Sequence, residues 1–251
     1  LDFTSLYPNI IATFNISPET LIYNINYTGK HVDLGKILSE EENEKYKPIK
    51  FTLEKKGILS SLVKHLLKER LYYKKLKKET TSDSPDYVIY DIKQYNYKIL
   101  LNSMYGVLGT NNFALHDIRI SLAILAAARS ALRFVNNILD NHKFENIKIN
   151  ERTISFTTHV LYSDTDSSFN YIECNEKLDK SDILEIGNYI ANYINNILPE
   201  KFIPKFTNEK IECTLSMEVD KIYKRVRFFG IKKDISDMTL IEKSSLMVLK
   251  S

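Results

Sequence analysis

The stretch Tyr162-Ser163-Asp164-Thr165-Asp166-Ser167 sets two carboxylates one residue apart, between two segments of strand character. Thr153 to Asp164 and Ser167 to Ile172 alternate in side-chain type, which predicts a β-hairpin with acidic residues at its tip. A lone Asp-x-Asp turn is most often a solvated loop. The hairpin acquires chemical meaning only from what the rest of the chain can bring to it.

A second acid stands at the other end of the chain. Leu1 to Phe3 reads as a short buried strand, followed by a turn at Tyr7-Pro8 and a helical run from Asn9 to Phe14, which Ser17-Pro18 ends. Asp2 therefore sits at a strand end. Alone, such a residue is more often a turn or cap than a ligand. Two-metal phosphoryl transfer, however, needs carboxylates from separate strands that converge on ions roughly 4 Å apart, and hard divalent cations prefer oxygen ligands.

Between these acids lies a helical region. Ile58 to Lys78 and Tyr87 to Met104 are helix candidates, joined by the polar turn Thr81 to Pro85, and together they predict an antiparallel helical hairpin. On the first helix Ile58, Leu62 and Leu66 form an apolar row that continues as Arg70, Lys74 and Lys77 or Lys78. On the second, Lys98, Asn102 and Tyr105 share one face. A Lys-rich helix is ordinarily a solvated face, but two facing basic stripes can bracket a triphosphate.

The remaining chain supports an α+β fold. Residues 20–51 read as an irregular, peripheral insertion. Ile118 to Leu139 is an Ala-rich helix suited to close packing on a sheet, Ile183 to Leu198 is a further helix, and Ile211 to Ile231 supplies two more strands. Composition narrows the function less. Lys and Arg number 35 against 32 Asp and Glu, a formal net charge of +3, so global charge says little about a nucleic-acid partner. Cys174 and Cys213 provide neither a disulfide framework nor zinc spacing, which favours a reducing intracellular compartment. The longest apolar run, Ser121 to Val135, is interrupted by Arg129 and too short to span a bilayer. The start at Leu1, without Met or leader, suggests a piece of a longer protein.

Taken together, these residues resemble the family B DNA polymerases. Asp2 to Ile11 resembles the first polymerase signature, Lys98-x-x-x-Asn102-Ser103-x-Tyr105-Gly106 the fingers signature, and Tyr162 to Ser167 the third, in the family's order. Asn15-Ile16-Ser17-Pro18-Glu19-Thr20 and Gly106 through Arg119 are similar to replicative polymerases of T-even-type bacteriophages. Residues 20–50 and 141–158 match poorly.

The resemblance implies an antiparallel palm sheet backed by helices, with an inserted two-helix fingers hairpin: palm over 1–53, fingers over 54–105, palm again over 106–251, running toward a thumb. It implies that Asp2 and Asp166, with the Phe3 carbonyl, hold two Mg²⁺ ions, with Asp164 auxiliary, and that Arg70 and Lys98 clamp the triphosphate. Lys74 is a second phosphate candidate, Asn102 adds a hydrogen bond, and the Ser5 and Leu6 N–H groups bind phosphate oxygens. Tyr7 would reject a ribose hydroxyl. Tyr105 and Gly106 would meet the nascent base pair, Thr165 the DNA, and Lys232 and Lys233 the primer backbone. The implied partners are primer-template DNA, deoxynucleoside triphosphates and a sliding clamp, with no membrane.

Two departures from the family pattern stand out, Ser163 for the usual Gly and Asp234-Ile235 for the usual Arg-Tyr. The rival readings are an RNA-templated palm-type polymerase, which Tyr105-Gly106 argues against, and a non-catalytic nucleic-acid-binding remnant, which the retained Asp2, Asp164 and Asp166 argue against.

Overall fold

A computed structural model describes residues 1–223 and 226. At its centre is a five-stranded antiparallel sheet in the order β4-β5-β6-β1-β7. Its strands are β1 (Asp2–Phe3), β4 (His142–Ile149), β5 (Arg152–Asp164), β6 (Ser167–Glu173) and β7 (Met217–Glu218). The expected hairpin is β5–β6, closed by the pair Asp164 and Ser167. Strand β4 went unread in the sequence because its alternation breaks at a bulge between Phe144 and Ile147, where Asn146 takes a left-handed conformation. A second irregularity, between Val160 and Tyr162, bends β5 just before its acidic end. Of the two strands expected over 211–231, the described residues contain only β7.

The helices largely follow the sequence expectation. Helix α1 (Leu6–Thr13) starts three residues earlier than predicted, so Tyr7-Pro8 is its first turn rather than a preceding one. Proline is tolerated there because its missing N–H would have no intrahelical partner. Helix α5 (Ile118–Leu139) buries Ala123, Ala127, Ala128 and Ala131, and the small side chains let it lie close to α1 and the sheet. Helix α6 (Lys180–Ile197) packs Ile186, Ile190 and Ile194 into the same core. No helix among the described residues is long and apolar enough to cross a membrane.

The 20–50 segment is neither irregular nor peripheral. It forms β2 (His31–Asp33), α2 (Glu40–Tyr46) and β3 (Lys50–Thr52), and it buries Val32, Leu34, Ile49 and Phe51 completely or nearly so. These strands are too short for period-two alternation to stand out.

Helices α3 (Ile58–Glu79) and α4 (Pro85–Leu108) form the expected hairpin. Tyr73 stacks on Tyr97 at 5.9 Å, and the Lys77 ammonium pairs with Asp91 at 2.7 Å. The predicted apolar row is displaced. Ile58 and Leu62 are 75% and 44% exposed, and the inward positions are Ser60, Val63 and Leu66.

What fixes the start of α3 is the segment Asn15 to Thr20. Gly57, the residue before the helix, has no side chain to cap it. Instead Asn15 Oδ1 accepts the Gly57 N–H at 2.8 Å, Ser17 Oγ accepts the Leu59 N–H at 3.1 Å, and the Glu19 carboxylate accepts the Ile58 N–H. A neighbouring segment thus satisfies amide groups that helix geometry orphans. Asn15 also donates to the Thr52 and Lys55 carbonyls at 2.8 and 2.9 Å, from a left-handed φ of 53° that asparagine tolerates. Gly57 is required by space, since an added Cβ would lie 2.6 Å from the Ser17 Cβ.

Loss of one cap should cost about 1 kcal/mol, and loss of several buried partners more. Ser17→Ala is therefore expected to lower urea-unfolding stability by about 1 kcal/mol, and Asn15→Ala by about 2–3 kcal/mol. Burial raises the Glu19 carboxyl, but hydrogen bonds from Ser17 and the Ile58 amide leave its pKa below the ordinary 4.5. A depressed carboxyl contributes stability above its unfolded pKa, and that contribution disappears as pH falls through the folded value. Glu19→Gln should flatten this acid limb of the stability profile.

Candidate active site

The strand carrying Asp2 lies between β6 and β7, with Asp2 opposite Ser167 on one side and Glu218 on the other. The Phe3 N–H donates to the Asp166 carbonyl at 2.8 Å. This backbone bond ties the first acid's strand to the acidic turn, so the acids from residues 2 and 166 meet. The turn is tight. Thr165 has φ 48°, and its hydroxyl donates to Asp164 Oδ1 at 3.0 Å. Asp164 and Thr165 are exposed, whereas Asp2 and Asp166 are half-buried.

The electrostatics record this convergence. Burial, then the charges of Asp166 and Asp220, push the Asp2 carboxyl up to about 6. Burial also raises Asp166, as do Asp164 and Asp220, while Lys98 pulls it down. Acids that oppose one another's ionisation in this way are what a divalent cation relieves. Among the described residues, no three His, Cys, Asp or Glu side chains form a metal-binding group. Two facing carboxylates and a neighbouring carbonyl still suit Mg²⁺, which commonly takes one or two carboxylates and completes its shell with water and substrate phosphates.

The basic side is built by α3, α4 and the start of α1. Ser5 adopts φ 49° and ψ 58°, which turns the chain from β1 into α1, and its side chain caps nothing. Its hydroxyl instead accepts a hydrogen bond from the Arg70 guanidinium. Arg70 Nε is buried with no partner among the described residues, and burial lowers the guanidinium pKa. An unpaired buried donor beside a helix start suits an anion. Lys74 is committed to Glu218 at 3.4 Å. Lys98 and Asn102 are exposed, and Lys98 is close enough to act on Asp166.

Tyr7 and Tyr105 meet at 4.8 Å between ring centroids. Burial raises both phenols, Tyr7 further through Asp166, and Arg129 opposes the shift in each. Beside Tyr105, Gly106 has open space where a Cβ would stand. Ser163, the departure from glycine, is accommodated because its hydroxyl accepts from Asn136 Nδ2 at 2.7 Å. Asn136 Oδ1 in turn accepts from Ser168 at 2.8 Å, so one α5 side chain holds both strands of the acidic hairpin. The sequence gave no warning of Asn136, Arg129, Glu218 or Asp220. The alternation Met217-Glu218-Val219-Asp220 was the available signal for the last two. Lys232 and Lys233 lie outside the described residues.

With this geometry in view, comparison with known proteins is specific. Residues 1–235 match the DNA polymerase family B, and the chain belongs to that family. It is 24% identical, over 94% of its length, to a DNA polymerase of Choristoneura biennis entomopoxvirus, and 30% identical, over 93%, to DNA polymerase 1 of Sulfurisphaera ohwakuensis. It spans 28% and 22% of those proteins. In fold it is similar to the family B DNA polymerase of the hyperthermophilic archaeon Pyrobaculum calidifontis, with a TM-score of 0.52 and 22% identity over 85% of this chain and 22% of that one.

Because the buried Arg70 donor is uncompensated, Arg70→Met should change stability by less than about 1 kcal/mol. The same substitution should remove the thermal stabilisation conferred by inorganic tripolyphosphate, as read in a melting assay across ligand concentration.

Proposed function

We propose that this chain forms the palm and fingers of a DNA-templated DNA polymerase that adds deoxynucleoside triphosphates to a primer 3′ end. Residues 1–53 and those from 106 onward are palm, and the 54–105 hairpin is the fingers. The observation that carries this reading is the juxtaposition of Asp2 and Asp166 through the β1–β6 pair, with Arg70 and Lys98 on the facing helices.

In this reading the primer 3′-hydroxyl attacks the α-phosphorus, the bond to the bridging oxygen breaks, pyrophosphate leaves, and the hydroxyl proton passes to solvent. Asp2, Asp166 and the Phe3 carbonyl would hold two Mg²⁺ ions, which supply charge neutralisation at the attacking and leaving oxygens. Arg70 and Lys98 hold the triphosphate, helped by the Ser5 and Leu6 N–H groups and by Asn102. Lys74 would have to leave Glu218 before it could join them. The Tyr7 ring, braced by Tyr105, closes the space a ribose 2′-hydroxyl would need. Tyr105 and Gly106 lie along the minor-groove side of the new pair, and Thr165 reaches the primer strand. Lys232 and Lys233 would add phosphate contacts, and a sliding clamp would act through other parts of the protein.

Asp166→Asn should abolish Mg²⁺-dependent primer extension. It should also raise stability at neutral pH, by on the order of 1 kcal/mol after solvent screening, because a carboxyl whose folded pKa is raised opposes folding once ionised. Retained extension would overturn the assignment. Tyr7→Ala should lower deoxy-over-ribo selectivity by at least about tenfold in single-nucleotide incorporation; unchanged selectivity would remove Tyr7 from this role.

A further inference from the structure

On α5 the positions Arg129, Ser130, Arg133 and Asn137 form one stripe, spaced by three or four residues and turned away from the buried alanine face. Across from it stand the 37–42 segment and Lys205, and between them lies a cleft of about 580 Å³. Its lining carries three cations and one carboxylate, Glu42. Glu42 is already engaged, its Oε2 accepting the Ser39 N–H and hydroxyl at 3.1 and 3.0 Å. Neither Arg129 nor Arg133 has a carboxylate within 4 Å among the described residues, and Lys205 lies over the Phe134 ring at 4.5 Å. Two arginines one turn apart repel mildly, and the described fold supplies no ion pair to offset it.

The cleft is also connected to the site described above. Burial raises the Tyr7 and Tyr105 phenols, and the Arg129 charge opposes that rise in both. Arg129 therefore stands between the paired tyrosines and the cleft. The stripe from 129 to 137 runs roughly 12 Å along the helix, long enough for a chain of anions rather than a single one.

We propose that this cleft is a phosphate track for the unpaired template strand. The proposal rests on the polymerase reading. A primer ends at the reacting centre, so the strand that continues beyond the last pair is the template. A basic track leading away from Tyr105 is placed to take its backbone, without base-specific contacts.

The test uses the full-length protein, with primer-template affinity read by fluorescence anisotropy across salt. The substrates are a blunt duplex and duplexes with 4- and 12-nucleotide template overhangs. The variant is Arg133→Ala/Lys205→Ala, since both residues are exposed and neither touches the acids or tyrosines. Wild type should bind more tightly as the overhang grows. The variant should lose about three- to tenfold on the 12-nucleotide overhang and nothing on the blunt duplex, and its log–log salt slope should fall by about 1.4, the value for two single-strand phosphates. Arg133→Lys/Lys205→Arg should restore both. Equal loss on blunt and overhanging substrates would overturn the proposal. So would unchanged affinity on all of them, as a cleft serving an acidic protein surface would give. If the wild type neither binds nor extends any primer-template, the polymerase reading fails. If it does both while the overhang dependence survives the variant, the track alone fails.

Discussion

The site depends on one backbone arrangement, the insertion of the two-residue strand β1 between β6 and β7. The hydrogen bond from the Phe3 amide to the Asp166 carbonyl brings carboxylates from opposite ends of the described chain into one another's field. The cost is visible in Asp2, whose carboxyl is pushed up to about 6 by burial and by its acidic neighbours. A protein that needed only a stable sheet would gain by replacing these acids. Their mutual repulsion is tolerated because hydrophobic packing around Phe3, Leu6, Ile10 and Phe14 holds the backbone in place.

The opposite wall is positioned from a distance. Arg70 lies twelve residues into α3, or roughly 18 Å along it, so a small change in where that helix begins would carry the guanidinium away from Ser5. The begin-point is fixed by Asn15, Ser17 and Glu19, which bind the amides of Gly57, Leu59 and Ile58. The segment similar to phage polymerases is thus a tertiary helix cap. Through it the α1 end of the palm-like layer sets the register of the helical hairpin.

Much of this was legible in residue order. The long helices α3, α4, α5 and α6 declared themselves by periodicity and by punctuation such as Ser84-Pro85. The hairpin with its acidic tip declared itself by alternation on both sides of Asp164-Thr165-Asp166. The bulged strand β4 and the short strands β2 and β3 did not, because a single inserted residue or a three-residue length erases a period-two signal. The inward face of α3 was also misread. Ile58 and Leu62 face solvent while Ser60 turns inward, because Ser60 Oγ donates to Asn15, and no one-dimensional pattern reports that bond.

By itself, the sequence determined the membership and the chemical parts: acids at 2, 164 and 166, cations at 70 and 98, aromatics at 7 and 105, in an order that chance does not assemble. Only the tertiary structure decided which of these meet. It brought Asp2 to Asp166, left Asp164 exposed, and committed Lys74 to Glu218. It buried Arg70 with an unpaired donor and tied Ser163 and Ser168 to Asn136. The reason is that charge and hydrogen-bond pairing across the chain are set by strand register and helix placement, which depend on packing between residues far apart in the sequence.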